Sequence, residues 1–262
     1  MPFFDNEGVK IYYEIKGAGP DLFMIHGFAA NIDFNWKITN CIKALKDENR
    51  LILMDCRGHG KSDKPTDPAQ YGAKMMEDIS KLMDHLSIER SNFLGYSMGS
   101  SLTLNLLLKE PSRINCAILG GFVLSSPNDE QTTLRYDSYI NALKAESIEQ
   151  VKDPGGKEFR RFAESTGADL NALAAVMKGS DQESEKIFSN QKRLETVLKK
   201  ISVPVMTVIG SDDFLPGDKA LIAKLVPDAC HFQIQGKDHG TIVSDPKFHM
   251  IIKAFLNYVN RK

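Results

Sequence analysis

Short unbroken apolar runs recur along the first half of the chain and again near its end. Between them lie stretches with apolar residues every three or four positions. Runs of that length fit strands buried on both faces, and the 3.6-residue period fits helices with one buried face. Strands are predicted at 9–15 (VKIYYEI), 22–25, 51–54, 92–94, 114–119, 203–209 and 231–234. Helices are predicted at 34–45, 75–86, 102–108, 218–225 and 246–258. Strand, helix and strand in alternation is the signature of a parallel sheet with helical crossovers, an α/β class. From 122 to 196 the alternation stops. No strand is predicted there; helices are predicted at 129–147, 157–165, 169–177 and 183–198, punctuated by Pro127, Pro154-Gly155-Gly156, Gly167 and Gly179. The chain therefore divides into a core, 1–121 with 197–262, and a helical cap, 122–196. The apolar residues of the cap, among them Phe159, Phe162, Leu173 and Met177, exceed what a solvated linker needs. They form a small core of the insertion or line a pocket.

Charge and composition narrow the function. The chain has 33 basic and 34 acidic residues spread without long blocks, and a formal net charge of -1. No footprint for nucleic acid or an anionic membrane follows. The start, Met1-Pro2-Phe3-Phe4-Asp5, lacks a signal peptide's basic and apolar regions, and no run reaches a membrane span, so a cytoplasmic protein is expected. Cys41, Cys56, Cys116 and Cys230 lie far apart among apolar neighbours, which predicts buried free thiols rather than disulfides or a metal site. No cofactor and no metal is expected. Oligomeric state, monomer or homodimer, is left open.

Candidate chemistry centres on Gly95-Tyr96-Ser97-Met98-Gly99, which falls between a predicted strand and a predicted helix. Three fixed positions recur by accident in roughly one chain in ten of this length, so the flanking elements give the motif its value. A turn tight enough to lift a serine hydroxyl off a sheet crowds the residues two before and two after it, which explains the glycines. The alternative is a glycine-punctuated turn with an idle serine. A rival motif, Gly60-Lys61-Ser62, matches the end of a phosphate-binding loop, but Asp55 stands at the required first glycine and Pro65 interrupts the required helix. A reactive serine needs a base, and the base needs an acid. His239 lies in a Gly-rich loop after the last strand, on the edge where parallel sheets present ligand-facing groups. His59, in a polar loop, is not excluded by position. Asp212 and Asp213 follow the strand at 203–209, while Asp55 is read as a carboxylate holding its own loop.

His26-Gly27, Asp55-x-Arg57-Gly58-x-Gly60-x-Ser62, Gly95-Tyr96-Ser97-Met98-Gly99, Gly210-x-x-Asp213 and His239 together resemble the α/β-hydrolase superfamily, in its short, capped, esterase-like form. The likeness spans essentially the whole chain. It implies a mostly parallel sheet of about eight strands flanked by helices. It implies Ser97 as nucleophile, His239 as general base and then acid, and Asp213 as orienting acid, with Asp212 as fallback. The backbone N–H groups of Phe28 and Met98 would form the oxyanion hole. Tyr96, Phe122, Phe159, Phe162, Phe214 and Leu215 would contact a small-molecule substrate. Ser100 departs from the second glycine common in relatives, with only a local packing change expected. The implied function is hydrolysis of an ester or thioester of a small to medium apolar acyl group. Alternatives on the same fold are a non-haem perhydrolase, an acyltransferase and a weakly catalytic ligand-binding receptor. The aspartate nucleophile of haloalkane dehalogenases and epoxide hydrolases is absent.

Overall fold

The computed structural model describes residues 2–124, 130–188 and 191–261. One eight-stranded sheet runs in the order β1-β2-β4-β3-β5-β6-β7-β8. The strands are β1 Phe3–Asn6, β2 Val9–Lys16, β3 Asp21–Ile25, β4 Arg50–Met54, β5 Ser91–Tyr96, β6 Ile114–Gly120, β7 Val205–Gly210 and β8 Cys230–Ile234. The pairs β1/β2 and β2/β4 are antiparallel, and every pair from β4 to β8 is parallel. The mostly parallel sheet is as expected. β1 is not read from the pattern, because four residues make too short a run; it is fixed by the two-residue Glu7-Gly8 turn, both at positive φ.

Alternation along β3 shows how the sheet builds two layers. Phe23 and Ile25 enter one core with Met75, Ile79 and Leu82 of α2 (Ala73–His85) and with Leu104 and Leu107 of α3 (Met98–Lys109). Leu22 and Met24 enter the other with Trp36, Leu45 of α1 (Cys41–Leu45) and Phe248, Ile252 and Leu256 of α9 (Pro246–Val259). All four of these β3 residues are fully buried. The single helix predicted at 34–45 is two pieces: a π-helical turn, Asp33–Lys37, and α1, separated by Asn40 in the left-handed region at φ 62°. A left-handed residue ends one helix, and asparagine tolerates that conformation better than most.

Between β6 and β7 lie α4 (Glu130–Lys144), α5 (Pro154–Ser165), α6 (Leu170–Phe188) and α7 (Gln191–Leu198); α8 (Leu221–Leu225) follows β7. Pro154-Gly155-Gly156 opens α5 rather than separating elements: Pro154 takes the first turn, and the Asp153 carboxylate accepts the Gly156 N–H at 2.6 Å. Gly179 does not break α6, which joins the predicted 169–177 helix to the first part of the predicted 183–198 helix, the remainder of which is α7. Pro127, Asp129 and positions 189–190 of the predicted helices lie outside the described residues. Leu143, Ala163, Leu173, Ala174 and Met177 pack together and onto Ala29, while Val176, Leu194 and Leu198 join the main core. Cys41, Cys56 and Cys116 are buried free thiols, with burial pushing Cys41 and Cys116 up to about 12. Cys230 is exposed, against expectation, because β8 is an edge strand. No helix among the described residues is long and apolar enough to cross a membrane.

Candidate active site

Ser97 sits between β5 and α3 at φ 53° and ψ -113°, a conformation that non-glycine residues rarely take. Its geometry is fixed from both sides. The Ser97 N–H donates to the Gly120 carbonyl at 2.8 Å, and the Ser100 hydroxyl lies 2.8 Å from both the Gly95 and Gly120 carbonyls. A Cβ on Gly95 would stand 2.3 Å from the Gly99 oxygen, and one on Gly99 would stand 2.0 Å from the Ile25 oxygen. No side chain fits at either position. Ser100 thus ties the turn to β6 through its hydroxyl.

Three chain segments converge on this serine. His239 Nε2 lies 3.0 Å from Ser97 Oγ, and His239 Nδ1 lies 2.8 Å from Asp213 Oδ2. The Asp213 side chain is fully enclosed, and its other oxygen accepts the Leu215 N–H at 3.0 Å. With both carboxylate oxygens held, the imidazole is oriented, its Nδ1 proton faces the acid and its Nε2 lone pair faces the hydroxyl. Asp212 is exposed and accepts instead from the Ser211 hydroxyl at 2.7 Å. His59 is fully buried against the rings of His26 and Phe28, with Nδ1 on the Arg57 carbonyl at 3.0 Å; burial and neighbouring His26 pull its pKa down to about 3. Asp55 holds loops, accepting the Ile32 and Lys61 N–H groups, each at 2.8 Å.

Two backbone N–H groups lie on chain segments beside Ser97. Met98 is the first residue of α3, where an N–H has no partner within the helix. Gly27 packs so close that a Cβ there would stand 3.4 Å from Ser97 Cβ. The Gly27 N–H is taken by Asn35 Oδ1 at 2.9 Å, and the Phe28 N–H has no hydrogen-bond partner among the described residues.

The aromatic residues divide. Phe214 is 59% exposed, with its ring centroid 4.9 Å from that of His239, and Leu215 is half-buried beside it. Phe159 stacks on Phe28, centroids 5.6 Å apart, and on Tyr139 at 4.2 Å. Phe162 meets Phe34 edge-on at 5.4 Å, and Phe122 is half-buried against the main core. Tyr96 requires a correction: it is 5% exposed, its ring packs against Phe248 and its hydroxyl donates to the His239 carbonyl, so it supports the histidine loop from behind. Tyr139 and Asn35 carried no sequence signal, since each is one more residue in a helical pattern. A cleft of about 550 Å³ lined by Asp84, Ile88, Arg90 and Arg113 lies at the opposite edge of the sheet, by the starts of β5 and β6.

Comparison with known proteins agrees with this architecture. The model of the alpha/beta hydrolase fold family matches residues 20–245. The dihydrolipoyllysine-residue acetyltransferase component of the acetoin cleaving system of Pseudomonas putida is 26% identical over 190 residues, covering 68% of this chain and 50% of that protein. The chain thus spans about half the length of that relative. The pimeloyl-[acyl-carrier protein] methyl ester esterase of Nitrosospira multiformis is 26% identical over 224 residues, covering 81% and 84% of the two chains. The crystal structure of a hydrolase from Pseudomonas aeruginosa PA01 superposes with a TM-score of 0.77 at 23% identity, covering 97% of each chain. With its family model matched over most of its length and an elbow serine on the expected sheet edge, the chain belongs to the alpha/beta hydrolase fold family.

Proposed function

We propose that the protein is a serine hydrolase that cleaves an ester or thioester of a small to medium apolar acyl group. The observation that carries this reading is the hydrogen-bonded series from Ser97 Oγ through His239 to the enclosed Asp213 carboxylate. Ser97 Oγ attacks the carbonyl carbon while His239 Nε2 takes its proton, and Asp213 stabilises the imidazolium that forms. The negative oxygen of the tetrahedral intermediate lies against the Phe28 and Met98 N–H groups. Collapse expels the alcohol or thiol, which takes the proton from His239 and leaves Ser97 acylated. Water, deprotonated by His239, attacks the acyl carbon and frees Ser97. Helices α4–α7 form the cap, and Phe28, Phe122, Phe159, Phe162, Phe214 and Leu215 supply apolar contacts for the acyl chain. The ester named for the Nitrosospira relative supports this choice of carbonyl.

A panel of p-nitrophenyl esters and acyl thioesters of graded chain length tests the reading. Ser97→Ala is expected to lower kcat by about 10⁴-fold or more, and a fluorophosphonate is expected to label Ser97. Turnover by Ser97→Ala equal to the parent's would sink the proposal. Absence of turnover with intact ligand binding would point to a receptor.

A further inference from the structure

Residues 27–30 form a turn closed by the Ala30 N–H on the Gly27 carbonyl at 3.2 Å. Its third residue, Ala29, is fully buried at φ 58°, a conformation open to glycine and unfavourable for alanine. Such a turn needs outside contacts to persist, and the end of α5 supplies them. Thr166 Oγ1 lies 2.6 Å from the Ala29 carbonyl and 2.9 Å from the Ala163 carbonyl. A hydroxyl has one proton to give. The Ala163 oxygen already accepts the Ala168 N–H at 3.2 Å, whereas the Ala29 oxygen has no other donor among the described residues. From the same helix, Phe159 lies over the Phe28 ring at an interplanar angle of 13°.

We propose that Thr166 is a positioning residue: through the Ala29 carbonyl its hydroxyl holds the turn so that the Phe28 N–H faces the oxygen that turns negative. The insertion is then a working part of the oxyanion site as well as a cover. This rests on the serine-hydrolase reading above. Valine keeps the shape of Thr166 and removes the donor, so the Ala29 carbonyl loses its partner and the turn can relax. With a short p-nitrophenyl ester, Thr166→Val is expected to lower kcat about tenfold, less than outright loss of an oxyanion donor, with KM within about twofold. Thr166→Ser, which keeps the hydroxyl, is expected to recover most of that rate. A parental kcat in Thr166→Val, or a loss carried by KM, overturns the proposal. If Thr166→Val does not fold, Thr166→Ala, which also removes the donor to the Ala29 carbonyl, is held to the same standard, a fall in kcat reversed in Thr166→Ser supporting the proposal and an unchanged kcat overturning it. Ser97→Ala is assayed alongside. Its inactivity with a parental Thr166→Val rejects this inference alone, and its full activity rejects the hydrolase reading and this inference together.

Discussion

The Tyr96 hydroxyl donates to the backbone carbonyl of His239, and the ring is wedged beside Gly121 and Phe248. Burial and the nearby Asp213 charge raise the phenol's pKa well above its ordinary value, so it keeps a proton to donate at any working pH. Tyr96→Phe is expected to cost about 1 kcal/mol of stability and to lower ester turnover roughly threefold to tenfold by loosening the imidazole, read by urea melts and steady-state rates. Ser97, Asp213 and His239 were legible in the sequence because each stands in a local pattern at a strand end, and the structure brings the three together. Tyr96 stands in the same heptapeptide, yet the sequence assigns it to the substrate side and the structure buries it behind the histidine loop. Whether it faces a pocket or the core depends on Phe248 and His239, far along the chain, and no local pattern carries that.

At the level of elements, unbroken apolar runs mark the five inner parallel strands β3 to β7, which are buried on both faces, whereas β2, with Lys10 and Glu14 in its run, reads as a strand from its β-branched and aromatic residues. Helix continuity was less legible. Asn40 breaks a pattern that reads as one helix, while Gly179, which reads as a break, lies inside α6. The reason at Gly179 is contact: a Cβ there would stand 2.4 Å from the Pro68 oxygen and 2.8 Å from Tyr71 Cβ, where α6 crosses the short turn Pro68–Gln70. Glycine is tolerated mid-helix because nothing larger fits. Gly179→Ala sets about 1 kcal/mol of gained helix propensity against a collision with backbone. Overpacking of about 1–3 kcal/mol is expected to win, so the melting temperature should fall rather than rise.

Across the whole molecule, the buried histidines set how stability responds to acid. His26 and His59 are fully enclosed, and burial depresses both pKa values, that of His59 from 6.5 to about 3. A depressed folded-state pKa means the unfolded chain binds the proton first, so this stability is present above pH 6.5 and is lost as pH falls toward 3. Between pH 7 and 5, His59 alone is expected to remove about 2 kcal/mol. Urea unfolding at the two pH values measures it, and His59→Asn should be less stable at pH 7 but show a shallower pH slope. The sheet also has an order of assembly written into it. β6 and β7 pair from Ala117 and Val205, and the whole insertion separates them in the chain. Joining strands so far apart is the slow kind of contact, because loop closure precedes any gain from pairing. Asp213 and His239 both follow that junction. On the proposed mechanism, a nascent chain on the ribosome would expose the Ser97 elbow long before His239 arrives, and hydrolysis would begin only once β7 and β8 have docked.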